Sequence, residues 1–109
     1  MLNGAYLIDP LARTVTLVDR GDRNSLAPVY ALLDCKYVDG YQLGDTGPDV
    51  LYVDEYQREG RGAFACSRIP APLIVGRALW VGSTADGEEA DPDTPLAIAS
   101  RCIVFLEDD

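Results

Sequence analysis

Apolar and polar positions alternate on a short period through the first twenty residues. Ala5-Tyr6-Leu7-Ile8 is an apolar run that breaks at Asp9-Pro10, where the fixed φ of proline and the aspartate acceptor favour a turn. Thr14-Val15-Thr16-Leu17-Val18 follows, with Val15 and Leu17 on one face and Thr14 and Thr16 on the other. The pattern predicts a β-hairpin over residues 4–19. The period then changes. Leu26, Val29, Tyr30 and Leu33 stand at i, i+3, i+4 and i+7, one stripe of a helix ending near Cys35. Asn24 or Ser25 is placed to cap it, and Pro28 is tolerated because it falls in the first turn.

Beyond the helix the short period returns. Residues 37–43 read as a strand with Gly40 at its middle, and Gly44-Asp45-Thr46-Gly47-Pro48 as a loop. Residues 50–56 and 63–69 are strand-like and flank a connection with two glycines, which predicts a long-looped hairpin. Ile69-Pro70-Ala71-Pro72 is excluded from a central strand, since proline has no donor for the ladder. Residues 73–81 form one bent strand or two pieces broken at Gly76. Residues 97–106 read as a last strand with Cys102, Val104 and Leu106 on one face. About seven strands and one helix give an α+β class: a mostly antiparallel, curved sheet of six or seven strands with one short helix packed on it.

With 109 residues, nearly half of them apolar and a quarter charged, residues 1–109 are expected to fold as a single globular domain. No apolar run is long enough for a membrane helix. The amino terminus has neither the basic nor the long apolar region of a signal peptide. Cys35, Cys66 and Cys102 form no Cys-x-x-Cys pair, so neither a zinc knuckle nor a redox motif is indicated, and reduced thiols in a cytoplasm are the simplest reading.

Charge changes the picture. Residues 1–78 carry ten acids and eight bases, whereas residues 79–109 carry eight acids and one base, Arg101. A chain of net charge −9 repels phosphate backbones and anionic membranes, so direct nucleic-acid or membrane binding is disfavoured. The absence of histidine excludes Ser-His-Asp and Cys-His nucleophiles within the chain. The only lysine is Lys36, and no phosphate-loop run is present. Among carboxylates, Asp9, Asp39 and Asp54 are candidates for a two-carboxylate hydrolase, although Asp54 and its neighbour Glu55 would point to opposite faces of a strand. Arg20, Arg23, Arg58 and Arg61 lie in polar loops, where they would meet an anionic small ligand or nucleotide.

The densest acidic stretch is Asp86-Gly87-Glu88-Glu89-Ala90-Asp91-Pro92-Asp93. Its glycine falls too early for a calcium loop of the EF-hand type, and Pro92 stands where ligands would be needed. As a solvated loop it is unremarkable in a protein of this charge. As a recognition surface, Asp86, Glu88, Glu89, Asp91 and Asp93 would steer a basic partner, with Glu107, Asp108 and Asp109 as a second patch. Tyr41, Tyr52, Tyr56 and Trp80 are candidate interface anchors.

The order of Leu7-Ile8-Asp9-Pro10, a short helix, Val38-Asp39-Gly40-Tyr41, Val53-Asp54-Glu55, Ile74-Val75-Gly76 and Leu79-Trp80-Val81-Gly82 resembles a family of short phage- and plasmid-borne proteins of unknown function. This chain departs from that family in placing Tyr56-Gln57-Arg58-Glu59 before the glycine that follows the acidic pair. The resemblance implies a mobile-element accessory protein in a bacterial host cytoplasm and, by analogy, an anti-CRISPR or anti-restriction role. The sequence therefore leads to a non-enzymatic acidic protein, without cofactor or metal, that inhibits or modulates a nucleic-acid-binding host complex through its basic surface. The alternatives are a nucleotide or small-molecule module, a carboxylate hydrolase, and a homodimer or structural subunit joined through the apolar residues 73–81.

Overall fold

A computed structural model describes residues 3–43, 48–56, 60–70 and 73–106. Along the chain it contains β1 (Gly4–Asp9), β2 (Thr14–Asp19), α1 (Ala27–Leu33), β3 (Val38–Gln42), β4 (Val50–Asp54), β5 (Ala63–Cys66), β6 (Ile74–Val75), β7 (Ala78–Ser83), β8 (Glu89–Ala90), α2 (Leu96–Arg101) and β9 (Ile103–Phe105). The main sheet has the order β2-β1-β7-β4-β3, with β8 added on the end of β7. A second sheet has the order β6-β5-β9. The pairings within both sheets are antiparallel. The α+β class stands, and the strands divide between two sheets.

The layers follow from the alternation of side chains along each strand. Tyr6 and Ile8 of β1 lie in register with Trp80 and Ala78 of β7, which lie in register with Leu51 and Val53 of β4. These six pack against Phe64, Cys66, Ile74 and Ile103 of the second sheet and Ala99 of α2. The alternate residues Ala5, Leu79 and Val81 pack against Val29 and Leu33 of α1. The main sheet is thus covered on both faces. That is why Ala78-Leu79-Trp80-Val81 has no polar alternation: Leu79 and Trp80 are both fully buried, on opposite sides.

Local chemistry explains several boundaries. The Ser25 hydroxyl accepts the Ala27 amide at 3.1 Å, but the N-cap residue of α1 is Leu26 with no side-chain cap hydrogen bond, so neither Asn24 nor Ser25 caps the helix as expected. Asp34 closes α1 in the left-handed conformation (φ 51°), which aspartate tolerates better than most residues. The 4–19 hairpin is present as expected, and its register sets Gly4 opposite Asp19 and Asp9 opposite Thr14.

Two expectations are corrected and one pair of alternatives is decided. Residues 50–56 and 63–69 do not form a hairpin with each other: β4 pairs with β3 and β7, whereas β5 belongs to the second sheet. Of the two alternatives for residues 73–81, the two pieces stand: they are strands of different sheets, with the corner at Gly76, whose φ is +92°. Residues 97–106 are not one strand, because the chain first makes the helix α2. Phe105 and Ile103 face the core, and the face expected to join Cys102, Val104 and Leu106 is split: Cys102 is buried, whereas Val104 is 61% exposed and Leu106 39%. Pro95 precedes α2 in an extended conformation suited to a helix start, and Ala97 and Ala99 are good helix formers.

Gly82 is demanded by a close approach. A Cβ there would overlap the carbonyl of Asp91, which is backbone that cannot swing aside. Gly82→Ala is expected to cost about 1–3 kcal/mol as the segment after β8 is forced off β7. Urea unfolding would measure it, with the amide signals of Glu89 to Asp91 moving most.

Candidate functional site

The acidic stretch is a β-hairpin rather than an open loop. β7 pairs with β8 through Gly82–Ala90 and Ser83–Glu89. The turn is closed by Thr84 N–H to the Glu88 carbonyl (2.7 Å), Gly87 N–H to the Thr84 carbonyl (3.0 Å) and Glu88 N–H to the Thr84 hydroxyl (3.2 Å). Gly87 takes the positive φ (+84°) that this turn needs, so the Asp86-Gly87 pair is a turn signal as much as a charge signal.

The five acids divide into distinct roles. Glu89 is drawn in. Its carboxylate receives Nε and Nη2 of Arg20 at 2.6 and 3.1 Å, and the Tyr52 hydroxyl at 3.1 Å. Arg20 is 1% exposed, and its remaining nitrogen donates to the carbonyls of Asp22 (3.1 Å) and Ser25 (2.9 Å). Asp91 accepts Arg23 Nη2 at 2.5 Å and the Gly4 amide at 2.9 Å. The Arg23 guanidinium, then the Gly4 amide, hold the Asp91 carboxyl below the usual carboxylate range. Burial, then the charge of Glu89 and its hydrogen bond, push the Tyr52 phenol up. Asp86, Glu88 and Asp93 are exposed, and among the described residues their carboxylates have no cationic partner. Beside the hairpin is a cavity of about 370 Å³ lined by Arg23, Asn24, Glu88 and Glu89.

The chain after the hairpin is tied down by an acid that the charge pattern did not single out. Asp49 is 1% exposed, and its carboxylate accepts Trp80 Nε1–H (2.7 Å) and the amides of Asp93 (2.9 Å) and Thr94 (3.0 Å). Burial alone would raise its pKa, but these donors outweigh burial and hold it below the ordinary value. The one available signal was the indole N–H of a core tryptophan, which needs an acceptor.

The other candidates are scattered. Asp9 accepts the amides of Leu11 and Ala12 in its turn, and its Oδ2 lies 3.6 Å from Arg77 Nε. Asp39 accepts the amide of Gly40, and Asp54 accepts the amide of Tyr56. Asp54 pairs with Val38 and Asp39 pairs with Val53, so Asp39 and Asp54 face opposite sides of the sheet. Arg20 and Arg23 are engaged by the hairpin, and Arg61 pairs with Asp34 at 3.0 Å. Trp80 is fully buried, and Tyr41 packs against the core. Tyr56 is 67% exposed and meets Tyr37 edge to face, with ring centroids 5.7 Å apart. With Lys36 and Asp54 these rings line a cleft of about 190 Å³ at the far end of β3 and β4. Arg58, Glu107, Asp108 and Asp109 lie outside the described residues. Among the described residues no cluster of three or more His, Cys, Asp or Glu side chains is suited to hold a metal ion, and no helix is long and apolar enough to cross a membrane.

No protein family matches the chain, and no solved structure matches it. It is similar to the uncharacterized protein y4iR of Sinorhizobium fredii (strain NBRC 101917 / NGR234), with 31% identity over 107 residues. The similarity covers 96% of this chain but 63% of the relative, so the chain spans less than two thirds of that protein's length.

Proposed function

We propose that the chain is a non-enzymatic binding module whose acidic hairpin docks on a basic protein surface. One observation carries this reading: Arg20 and Arg23 secure Glu89 and Asp91 at the base of the hairpin, which leaves Asp86 and Glu88 exposed on a braced tip. A fixed pair of carboxylates steers and orients a cationic partner better than the same charges on a free loop. Asp93 extends the acidic face beyond β8. The partner class with the matching surface is a nucleic-acid-binding complex, whose groove is basic because it receives phosphates. A mobile-element protein that blocks such a complex in a host cell, as anti-CRISPR and anti-restriction proteins do, is the biological setting this implies.

Neutralising all five acids would confuse binding with folding, since two of them hold the structure together. The informative variant is Asp86→Asn with Glu88→Gln and Asp93→Asn. A host-lysate pull-down at low and high salt supplies the partner, and surface plasmon resonance measures the rates. The triple variant should unfold at the same urea concentration as the parent and associate roughly tenfold more slowly, with a shallower salt dependence. Equal association rates in parent and variant would overturn the reading.

A further inference from the structure

We infer that the outer edge of β3 is a second docking element, which takes an extended, arginine-bearing segment of a protein as an added strand. This rests on the reading of the chain as a module for basic partners, but on a different part of the molecule. β3 ends the main sheet, and among the described residues its one strand neighbour is β4. Glu55 N–H bonds the Tyr37 carbonyl at 3.1 Å and Leu43 N–H bonds the Asp49 carbonyl at 3.0 Å. These bonds set residues 37, 39, 41 and 43 as the ones turned toward β4. In an antiparallel ladder the intervening residues direct their N–H and C=O groups the other way. Val38, Gly40 and Gln42 therefore present a row of backbone donors and acceptors outward, the template that an added strand uses.

Proteins usually blunt such an edge with proline, lysine or a bulge. β3 has none of these. Its middle amide, Gly40 N–H, instead donates to the Asp39 carboxylate at 2.9 Å. That bond makes the edge selective. An incoming strand must offer a carbonyl to Gly40 in place of Asp39, and this releases an exposed carboxylate. A neutral strand leaves that carboxylate with only water. A strand with a guanidinium beside Asp39 gives it a new charged partner, so the exchange favours cationic segments.

The surroundings fit the same occupant. Glu55 is exposed beside β4's end, and Tyr37 (54% exposed) and Tyr56 (67% exposed) offer ring surface at the same end of β3. Such rings bind guanidinium groups by cation–π contact. Lys36 is the one cation among the described residues lining that cleft. A second copy of the chain is a poorer occupant, since it carries net charge −9 and brings its own Asp39.

The test is NMR titration of the ¹⁵N-labelled chain at low salt with a synthetic hexapeptide of alternating arginine and valine, with alternating glutamate–valine and threonine–valine peptides beside it. The arginine peptide should shift the amides of Val38, Gly40 and Gln42 and slow exchange of the Gly40 amide, and the glutamate peptide should do neither. Gly40→Pro removes the central donor at an edge position that tolerates proline, and should weaken binding about tenfold. Tyr37→Ala with Tyr56→Ala should weaken it severalfold without altering the backbone of β3. Asp39→Asn should erase the preference for arginine over threonine. Shifts confined to Thr84–Glu88 would overturn the edge and leave the hairpin reading standing. Equal binding of the arginine and glutamate peptides, or β3 already buried in a homodimer, would overturn the edge as well. A flat titration at both places would overturn both.

Discussion

Glu89→Ala should lower the stability of the chain by about 3 kcal/mol, the lower part of the range for removing one partner of a buried ion pair, because Glu89 keeps 12% of its side chain exposed. The cause is the group left behind. Arg20 is 1% exposed, and without Glu89 its guanidinium keeps the carbonyls of Asp22 and Ser25 but loses its counter-charge. The Tyr52 hydroxyl loses its acceptor in the same step. Urea unfolding gives the number. The control is Arg20→Met combined with Glu89→Met, which removes both charges and should recover most of the loss, as apolar replacements of buried pairs often do. By contrast Asp86→Asn, at the exposed tip, should lie within about 0.5 kcal/mol of the parent. If Glu89→Ala were as mild as Asp86→Asn, the hairpin base would not be braced by Arg20.

Asp49→Ala should cost about 4 kcal/mol, since the buried indole N–H of Trp80 and the amides of Asp93 and Thr94 all lose a charged acceptor. The same contacts set a pH dependence. Asp49 is held below its ordinary value of 3.8 in the folded chain, so at acid pH the unfolded chain binds more protons there than the folded one. Its contribution is fully present above the unfolded value and is lost as pH falls through the folded one. Asp91, also lowered, acts in the same direction. Stability measured from pH 6 to pH 2 should therefore fall below about pH 4. Asp49→Asn should flatten that fall. An unchanged pH profile in Asp49→Asn would show that its carboxylate does not carry the dependence.

Much of the fold was legible in the chain because it rests on contacts between near neighbours. The 4–19 hairpin, α1 and the break at Gly76 were each marked by a local period or a turn residue. The hairpin between residues 50–56 and 63–69 was not formed, because glycines in a connection show that the chain turns but not which strand it then meets. β4 found β7 instead, through Leu51, Val53 and the buried residues of Ala78–Ser83. α2 was missed because a short apolar stretch fits either period, and packing of Ala99 into the core decided for the helix.

The candidate site divides along the same line. By itself the sequence determined that negative charge gathers near residues 86–93 and that the chain carries no histidine to serve as a base. The tertiary structure decided which acids are braces and which are presented. Arg20 and Glu89 are 69 positions apart, and Asp49 and Trp80 are 31 apart. Charge counted along a chain is blind to such pairs, because a carboxylate's environment is set by what folding brings within a few ångströms of it.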